Sequence, residues 1–99
     1  MTTNNAASTI TPPSHTRIAV VTGASAGIGE ATAKLLAADG WYVILAARRL
    51  EKLEEVAQDI AQEGGKATPL ALDVTDKVSI DNFTAALAEL TGSKLDLLV

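Results

Sequence analysis

The chain has 99 residues, of which 47% are hydrophobic and 20% charged, a balance typical of one small globular domain. A net charge of −4 and the lack of any cationic run longer than two residues exclude the basic surface of a nucleic-acid-binding protein. The absence of cysteine excludes a disulfide framework, a thiolate metal site and a cysteine nucleophile. No segment has the length and apolarity of a membrane span, and the first residues lack a signal-peptide pattern. We therefore expect a cytoplasmic protein with a small-molecule ligand and neither nucleic acid nor membrane as a partner.

The first 16 residues differ in composition from the rest of the chain. They are rich in Ser, Thr, Asn and Pro and contain one isolated isoleucine, so they bury too little apolar surface to offset the entropy of ordering. We expect residues 1–16 to form a flexible tail, in which His15 is solvated rather than a metal ligand or a proton carrier. Residues 17–99 are then the folded domain.

From residue 18 onward, short apolar runs alternate with segments in which apolar residues recur at helical spacing. The runs predict strands over residues 18–21, 41–47, 67–72 and 95–99. The apolar faces of the three intervening helices are Ile28, Ala31, Leu35 and Leu36; Leu50, Leu53, Val56, Ala57 and Ile60; and Ile80, Phe83, Leu87 and Leu90. Glycines at position 40, at positions 64 and 65, and at position 92 are expected to end these helices.

The order β-α-β-α-β-α-β, combined with right-handed crossovers, predicts the α/β class and one half of a doubly wound parallel sheet of the Rossmann type, with strand order 3-2-1-4. Pro69 removes a backbone donor from the third strand, which suits an edge position. The first strand is then central. Its following turn opens toward the crevice where such sheets bind ligands.

That turn is rich in glycine and reads Thr-Gly-Ala-Ser-Ala-Gly-Ile-Gly over residues 22–29. Gly23 permits a tight turn, Gly27 allows the backbone to approach a pyrophosphate, and Gly29 lets the helix lie close to the strand. The positive end of the helix would face the phosphates. Simple turn glycines are the alternative, although one glycine would be enough for a turn. A Walker A loop is excluded because Glu30 stands where that loop needs Lys.

The spacing Gly-x-x-x-Gly-x-Gly preceded by Thr is nearly the consensus of the short-chain dehydrogenase/reductase family, and residues 17–99 resemble the nucleotide-binding N-terminal part of its members. On this resemblance we assign contacts with a bound dinucleotide to the turn. The assigned residues are Gly23, Ser25, Ala26, Gly27, Ile28 and Gly29.

The end of the second strand indicates which dinucleotide is bound. NAD sites place a carboxylate there to accept from the ribose hydroxyls, whereas the 2′-phosphate of NADP needs a cation. Ala47 stands where NAD-preferring members of the family carry Asp, and Arg48 where NADP-preferring members carry Arg. Solvated arginines are the alternative, yet Arg48 and Arg49 precede a helix N-terminus, where cations are disfavoured. We therefore expect NADP(H), bound mainly by Arg48, with Arg49 as a second contact. Ala26 lacks the basic side chain that some relatives place in the turn.

Asp73 and Val74 resemble the family's Asp-Val pair, in which the carboxylate and the following N–H group contact adenine. An ordinary turn residue is the alternative for Asp73, with Thr75 as the expected cap of the third helix.

The resemblance implies no catalytic residue within this chain. In the family, the fourth strand continues into an Asn-Asn-Ala-Gly turn, and the catalytic Tyr-x-x-x-Lys pair lies later; Tyr42 is followed four residues on by Ala46. The full protein would transfer hydride between nicotinamide and a small carbonyl or alcohol substrate, as a homo-oligomer, and this part alone would be inactive. One alternative is a complete, non-catalytic module that binds NADP(H) or a protein partner. A methyltransferase-like nucleotide-binding fold is less consistent with the sequence, since it needs an acidic residue at the end of the second strand, where Ala47 and Arg48 stand.

Overall fold

The computed structural model describes residues 17–92 and 95–99. The predicted tail, residues 1–16, lies outside the described residues. The described residues form four strands and three helices in the predicted alternation: β1 (Ile18–Thr22), α1 (Gly27–Ala38), β2 (Tyr42–Ala47), α2 (Leu50–Gln62), β3 (Lys66–Ala71), α3 (Lys77–Thr91) and β4 (Leu97–Leu98). The first three strands lie within one residue of their predicted bounds. The prediction for β4 was too long, because only two of its five residues pair as a strand.

The four strands form one parallel sheet in the order β3-β2-β1-β4, which confirms the predicted α/β Rossmann topology. β1 is central, and four of its five residues are buried. Pro69 lies on the edge strand β3, as predicted, opposite Leu45 of β2. On the other edge, the Asp96 carboxylate accepts from the Ile18 N–H at 2.8 Å and so aligns β4 with β1.

The helices cover both faces of the sheet. α1 and α2 pack on one face, where Val21, Val43 and Leu45 meet Leu53 and Ile60 in a closed core. α3 packs on the other face, where its apolar side chains, Phe83, Leu87 and Leu90, are partly buried against buried residues of β1 and β2. No helix of the described residues is long and apolar enough to cross a membrane.

Of the four residues predicted to form the apolar face of α1, Leu36 packs against the core, and the prediction was wrong for the other three. The side chains of Ile28 and Leu35 are 86% and 73% exposed, whereas the buried residues of this helix are Ala33 and Ala37. Together with Gly29, these alanines form a stripe of small residues at four-residue spacing, which lets the helix axis come close to the sheet. Ile28 and Leu35 therefore lie on the opposite, solvent-exposed side of the helix. In α2, by contrast, Leu53, Val56 and Ile60 are buried as predicted, and Leu50 is 40% exposed.

The three helices end at the glycines predicted to end them. The C-caps of α1 and α2 directly precede Gly40 and Gly64, and Gly92 is itself the C-cap of α3. The expected cap at the start of α3 was wrong by one residue. Asp76, not Thr75, is the N-cap, and its carboxylate accepts from the Val78 N–H at 3.0 Å. Both residue types cap well, so composition alone did not separate them.

A cation–π contact lies at the end of the sheet at which the strands begin. The guanidinium of Arg17 lies over the ring of Trp41, 4.5 Å from its centroid, and also pairs with the Asp39 carboxylate at 3.6 Å. Trp41 directly precedes β2. This contact and the carboxyl ends of the strands therefore lie at opposite ends of the sheet.

Candidate functional site

A cleft of about 680 Å³ opens at the carboxyl ends of β1, β2 and β3, a volume within the range of small-molecule sites. Its lining residues come from three segments, each at the carboxyl end of a strand: Thr22, Gly23 and Ser25; Ala46, Ala47, Arg48 and Arg49; and Leu72, Asp73, Val74 and Thr75. The cleft is thus in the crevice predicted from the strand order, where parallel sheets bind ligands.

The glycine-rich turn is held close to the sheet. Gly23 has a φ of +64°, a conformation that side chains rarely adopt, and a Cβ there would meet no atom within 4 Å. At Gly29 the restriction is steric: an added Cβ would stand 2.7 Å from the carbonyl carbon of Gly23 and overlap its oxygen. The Ala24 N–H donates to the Ala46 carbonyl at 3.2 Å, which ties the turn to β2. The tight turn predicted at Gly23 is therefore observed, whereas the close approach at Gly29 is between the helix and the turn rather than the strand.

The start of α1 lies beside this turn and offers unpaired N–H groups. Within the described residues, Ala26 is the N-cap and its side chain makes no capping hydrogen bond. First-turn N–H groups have no acceptor inside their own helix, so those of α1 can bind an anion. A Cβ at Gly27 would meet no atom within 4 Å, so the space in front of the turn is open. The charge of Glu30 in this turn is offset by the Lys34 ammonium at 2.7 Å.

Two exposed arginines, Arg48 and Arg49, lie where β2 ends and α2 begins. Neither forms an ion pair with a carboxylate in the part of the chain that the structure describes. Arg49 is the N-cap of α2, a position where a cation costs about 0.3–1 kcal/mol. The last residue of β2, Ala47, brings no carboxylate to the cleft. This wall of the cleft therefore favours an anionic ligand.

The third wall is a loop organised by Asp73. Its carboxylate oxygen Oδ1 accepts from the Thr75 hydroxyl at 2.6 Å and from the Thr75 N–H at 2.9 Å. The hydroxyl hydrogen bond, followed by the backbone one, lowers the pKa of Asp73 below its usual 3.8, and the charge of Arg48 adds a smaller effect in the same direction. Asp73 is therefore ionised at neutral pH. Its own N–H donates to the Ser79 hydroxyl at 2.8 Å.

The structure brings the predicted site residues together in two groups. Those that line the cleft are Gly23, Ser25, Arg48, Arg49, Asp73 and Val74. Ala26, Gly27, Ile28 and Gly29 do not line it but form the adjoining N-terminus of α1. The described residues contain no group of three side chains suited to a metal ion.

Sequence reasoning missed the apolar walls, Ala46 and Leu72, and the polar support from Ser79. The signal for Ser79 was its position: it is the third residue after the N-cap Asp76, where polar side chains often reach back to the preceding backbone. Asp73 was predicted to be either an ordinary turn residue or a contact of the adenine. In the structure it forms a local turn with Thr75 and also lines the cleft.

Comparison with known proteins agrees with this geometry. The family model of the short chain dehydrogenases matches residues 17–99. The chain is 45% identical over 83 residues to an uncharacterized oxidoreductase of Staphylococcus aureus, covering 84% of this chain and 35% of the relative. It is 41% identical over 87 residues to a glycine betaine reductase of Emericella nidulans, covering 88% of this chain and 7% of the relative.

Two solved structures resemble the fold closely. An alcohol dehydrogenase of the archaeon Thermococcus sibiricus, complexed with 5-hydroxy-NADP, superimposes with a TM-score of 0.79 and 39% identity over 85% of this chain and 36% of its own. A metagenomic short-chain oxidoreductase in complex with NADP gives a TM-score of 0.77 and 40% identity over 83% of this chain and 37% of its own. The chain thus spans about a third of the length of these two structures. Since the family match extends over the whole described fold, the chain belongs to the short-chain dehydrogenase family.

Proposed function

We propose that this chain is the NADP(H)-binding portion of an oxidoreductase of the short-chain dehydrogenase family. The observation that carries the proposal is the pair of arginines, Arg48 and Arg49, at a cleft where Ala47 takes the place of an acid. A carboxylate there would repel a 2′-phosphate, whereas a guanidinium binds phosphate through charge-assisted, bidentate hydrogen bonds. NADP in one of the resembling structures and 5-hydroxy-NADP in the other support the same choice.

The remaining parts of the dinucleotide are assigned by chemistry. The pyrophosphate is assigned to the backbone of the turn and the start of α1, that is, to Gly23, Ser25, Ala26, Gly27, Ile28 and Gly29. Ser25 lines the cleft, and its hydroxyl is assigned to the phosphate or ribose next to Arg48. Only the backbone of Ile28 is suited to this role, because its hydrocarbon side chain has no donor for a phosphate oxygen.

Adenine is assigned to the third wall of the cleft. Asp73 and Val74 line it beside the apolar residues Ala46 and Leu72. The ionised carboxylate of Asp73 is an acceptor for the amino group of adenine, and the Val74 N–H is a donor for the adjacent ring nitrogen. Apolar walls on either side suit the faces of the ring.

We further propose that the longer protein transfers hydride between nicotinamide and the carbonyl or alcohol carbon of a small-molecule substrate, and that it assembles as a homo-oligomer. Bound NADP(H) supplies or accepts that hydride, while the residues described here hold its adenosine half. None of them is assigned a catalytic role. Tyr42 is unsuited to one, since its hydroxyl hydrogen-bonds Thr68 at 2.5 Å from the end of β2 that is remote from the cleft.

The test is a pair of binding titrations, with NADPH and with NADH. Arg48→Ala is expected to weaken NADPH binding roughly 10- to 150-fold, the equivalent of a lost charged hydrogen bond, and to leave NADH binding nearly unchanged. Lys66→Ala is the charge-matched control, because Lys66 is exposed at the start of β3, away from the cleft. An unchanged ratio of the two affinities in Arg48→Ala would overturn the NADP assignment.

A further inference from the structure

Ser79 lies outside the cleft but is bonded to its wall. It belongs to the first turn of α3 and is half-buried, and its hydroxyl accepts from the Asp73 N–H at 2.8 Å. This hydrogen bond joins a rigid helix to the loop that follows β3. Among the described residues, it is the contact through which α3 fixes the Asp73 amide.

The rest of Asp73 is fixed just as closely. Its carbonyl accepts from the Asp76 N–H at 3.1 Å, and its Oδ1 accepts twice from Thr75. Within the described residues, the second carboxylate oxygen, Oδ2, and the following N–H group, that of Val74, have no hydrogen-bond partner. Both residues line the cleft. The loop thus offers one acceptor next to one donor.

We propose that Ser79 is a positioning residue for recognition of the adenine base, an inference that rests on the proposed function. By holding the Asp73 amide, the Ser79 hydroxyl fixes the direction in which the Oδ2 acceptor and the Val74 donor face the ligand. Adenine presents a donor, its amino group, beside an acceptor, its N1 atom, and so matches this pair. Hypoxanthine presents a carbonyl oxygen beside an N–H group at the same two places, the reverse pattern. A fixed acceptor–donor pair therefore distinguishes the two bases, whereas a pair whose direction varies distinguishes them less well.

The experiment compares the affinities of NADPH and of its deamino analogue, in which hypoxanthine replaces adenine, by isothermal titration calorimetry. The full chain is expected to prefer NADPH by roughly tenfold or more, because two hydrogen bonds are reversed in the analogue. In Ser79→Ala that preference is expected to fall to about threefold or less. Ser79→Thr retains the hydroxyl and is expected to keep the preference, and so is Thr84→Ala, which removes a hydroxyl bonded only within α3.

A residue that merely supports the fold would change stability or both affinities together, but not their ratio. If Ser79→Ala does not fold, the nearly isosteric Ser79→Cys decides, because sulfur is a weak acceptor and the preference must fall there too. A full preference in a folded Ser79→Ala or Ser79→Cys overturns the inference and leaves NADP(H) binding standing. If the unmodified chain shows no preference or does not bind NADPH, the adenine assignment or the proposed function fails instead.

Discussion

The α-carbon of Gly29 lies so close to the Gly23 carbonyl that a Cβ at Gly29 would overlap the oxygen and stand 2.7 Å from the carbon. The obstacle is backbone, which cannot move aside by a change of rotamer. The same close approach places the small side chains of Ala33 and Ala37 against the sheet. One contact thus sets both the shape of the turn and the buried face of α1.

Gly29→Ala is therefore expected to separate the helix from the turn. We expect a loss of about 1–3 kcal/mol of unfolding free energy, as for other overpacked sites, together with loss of NADPH binding. Gly64→Ala is the matched control: it also strains a glycine, at a φ of +88°, and costs about 1–2 kcal/mol, but it lies outside the cleft. Urea unfolding and NADPH titration of both variants check this. Normal NADPH binding by Gly29→Ala would contradict the geometry of the turn.

Replacing Ala47 by Asp is expected to reverse the cofactor preference. The carboxylate would stand at the end of β2, where it repels a 2′-phosphate and accepts from ribose hydroxyls. We expect NADPH affinity to fall at least tenfold and NADH affinity to rise, as measured by titration with both. Gln58→Glu adds a negative charge on the exposed side of α2 and controls for net charge. A preference for NADPH that survives in Ala47→Asp would show that this position does not select the cofactor.

Mutations on the two sides of α1 are expected to change the stability of the protein by different amounts. Ala33→Leu inserts a large side chain where Ala33 is 0% exposed, and should cost about 1–3 kcal/mol. Leu35→Ala removes one that is 73% exposed, and should change stability by less than about 0.5 kcal/mol. Urea denaturation of the two variants measures the difference. The reverse order of stabilities would restore the face predicted from apolar spacing.

The hydrogen bond from Thr75 should make stability depend on pH in the acid range. Because the pKa of Asp73 is lowered on folding, the unfolded chain binds more protons and stability rises with pH. This contribution is complete above the unfolded value of 3.8 and is lost as the pH falls through the lower, folded value. Thr75→Val, which removes the principal cause, should therefore flatten the acid limb of stability against pH. Thr84→Val should leave that limb unchanged, as urea unfolding between about pH 2 and 6 would reveal.

The sequence predicted the topology because each level of the pattern agreed. Alternating elements implied a parallel sheet, Pro69 marked an edge, and the glycine spacing marked the turn. The burial of α1 was not predictable in this way, since apolar spacing locates large side chains but carries no information on how near a helix approaches its sheet. At Gly29 that distance is set by a contact with Gly23, six residues away.

Some residues of the candidate site could be predicted from the sequence, and others could not. Arg48 and Asp73 were identified because they stand at positions where members of the resembling family carry Arg and Asp. Ser79 was not, because its proposed role arises from one hydrogen bond to Asp73 across a loop, and its place in the first turn becomes a signal only once Asp76 is known to be the N-cap. The choice of Asp76 over Thr75 as N-cap depended equally on the path of that loop.

The contact between Arg17 and Trp41 gives this protein a built-in optical probe of folding. Trp41 is the single tryptophan of the chain, and the guanidinium above its ring is held in place only while β1 and β2 are paired. Its emission should therefore change when the sheet melts. Because the indole is at the far end of the sheet from the cleft, a ligand that does not absorb at the selective excitation and emission wavelengths of tryptophan, such as adenosine 2′,5′-bisphosphate, should bind without changing the emission. A single sample can then report whether a variant that no longer binds has lost its site or its fold.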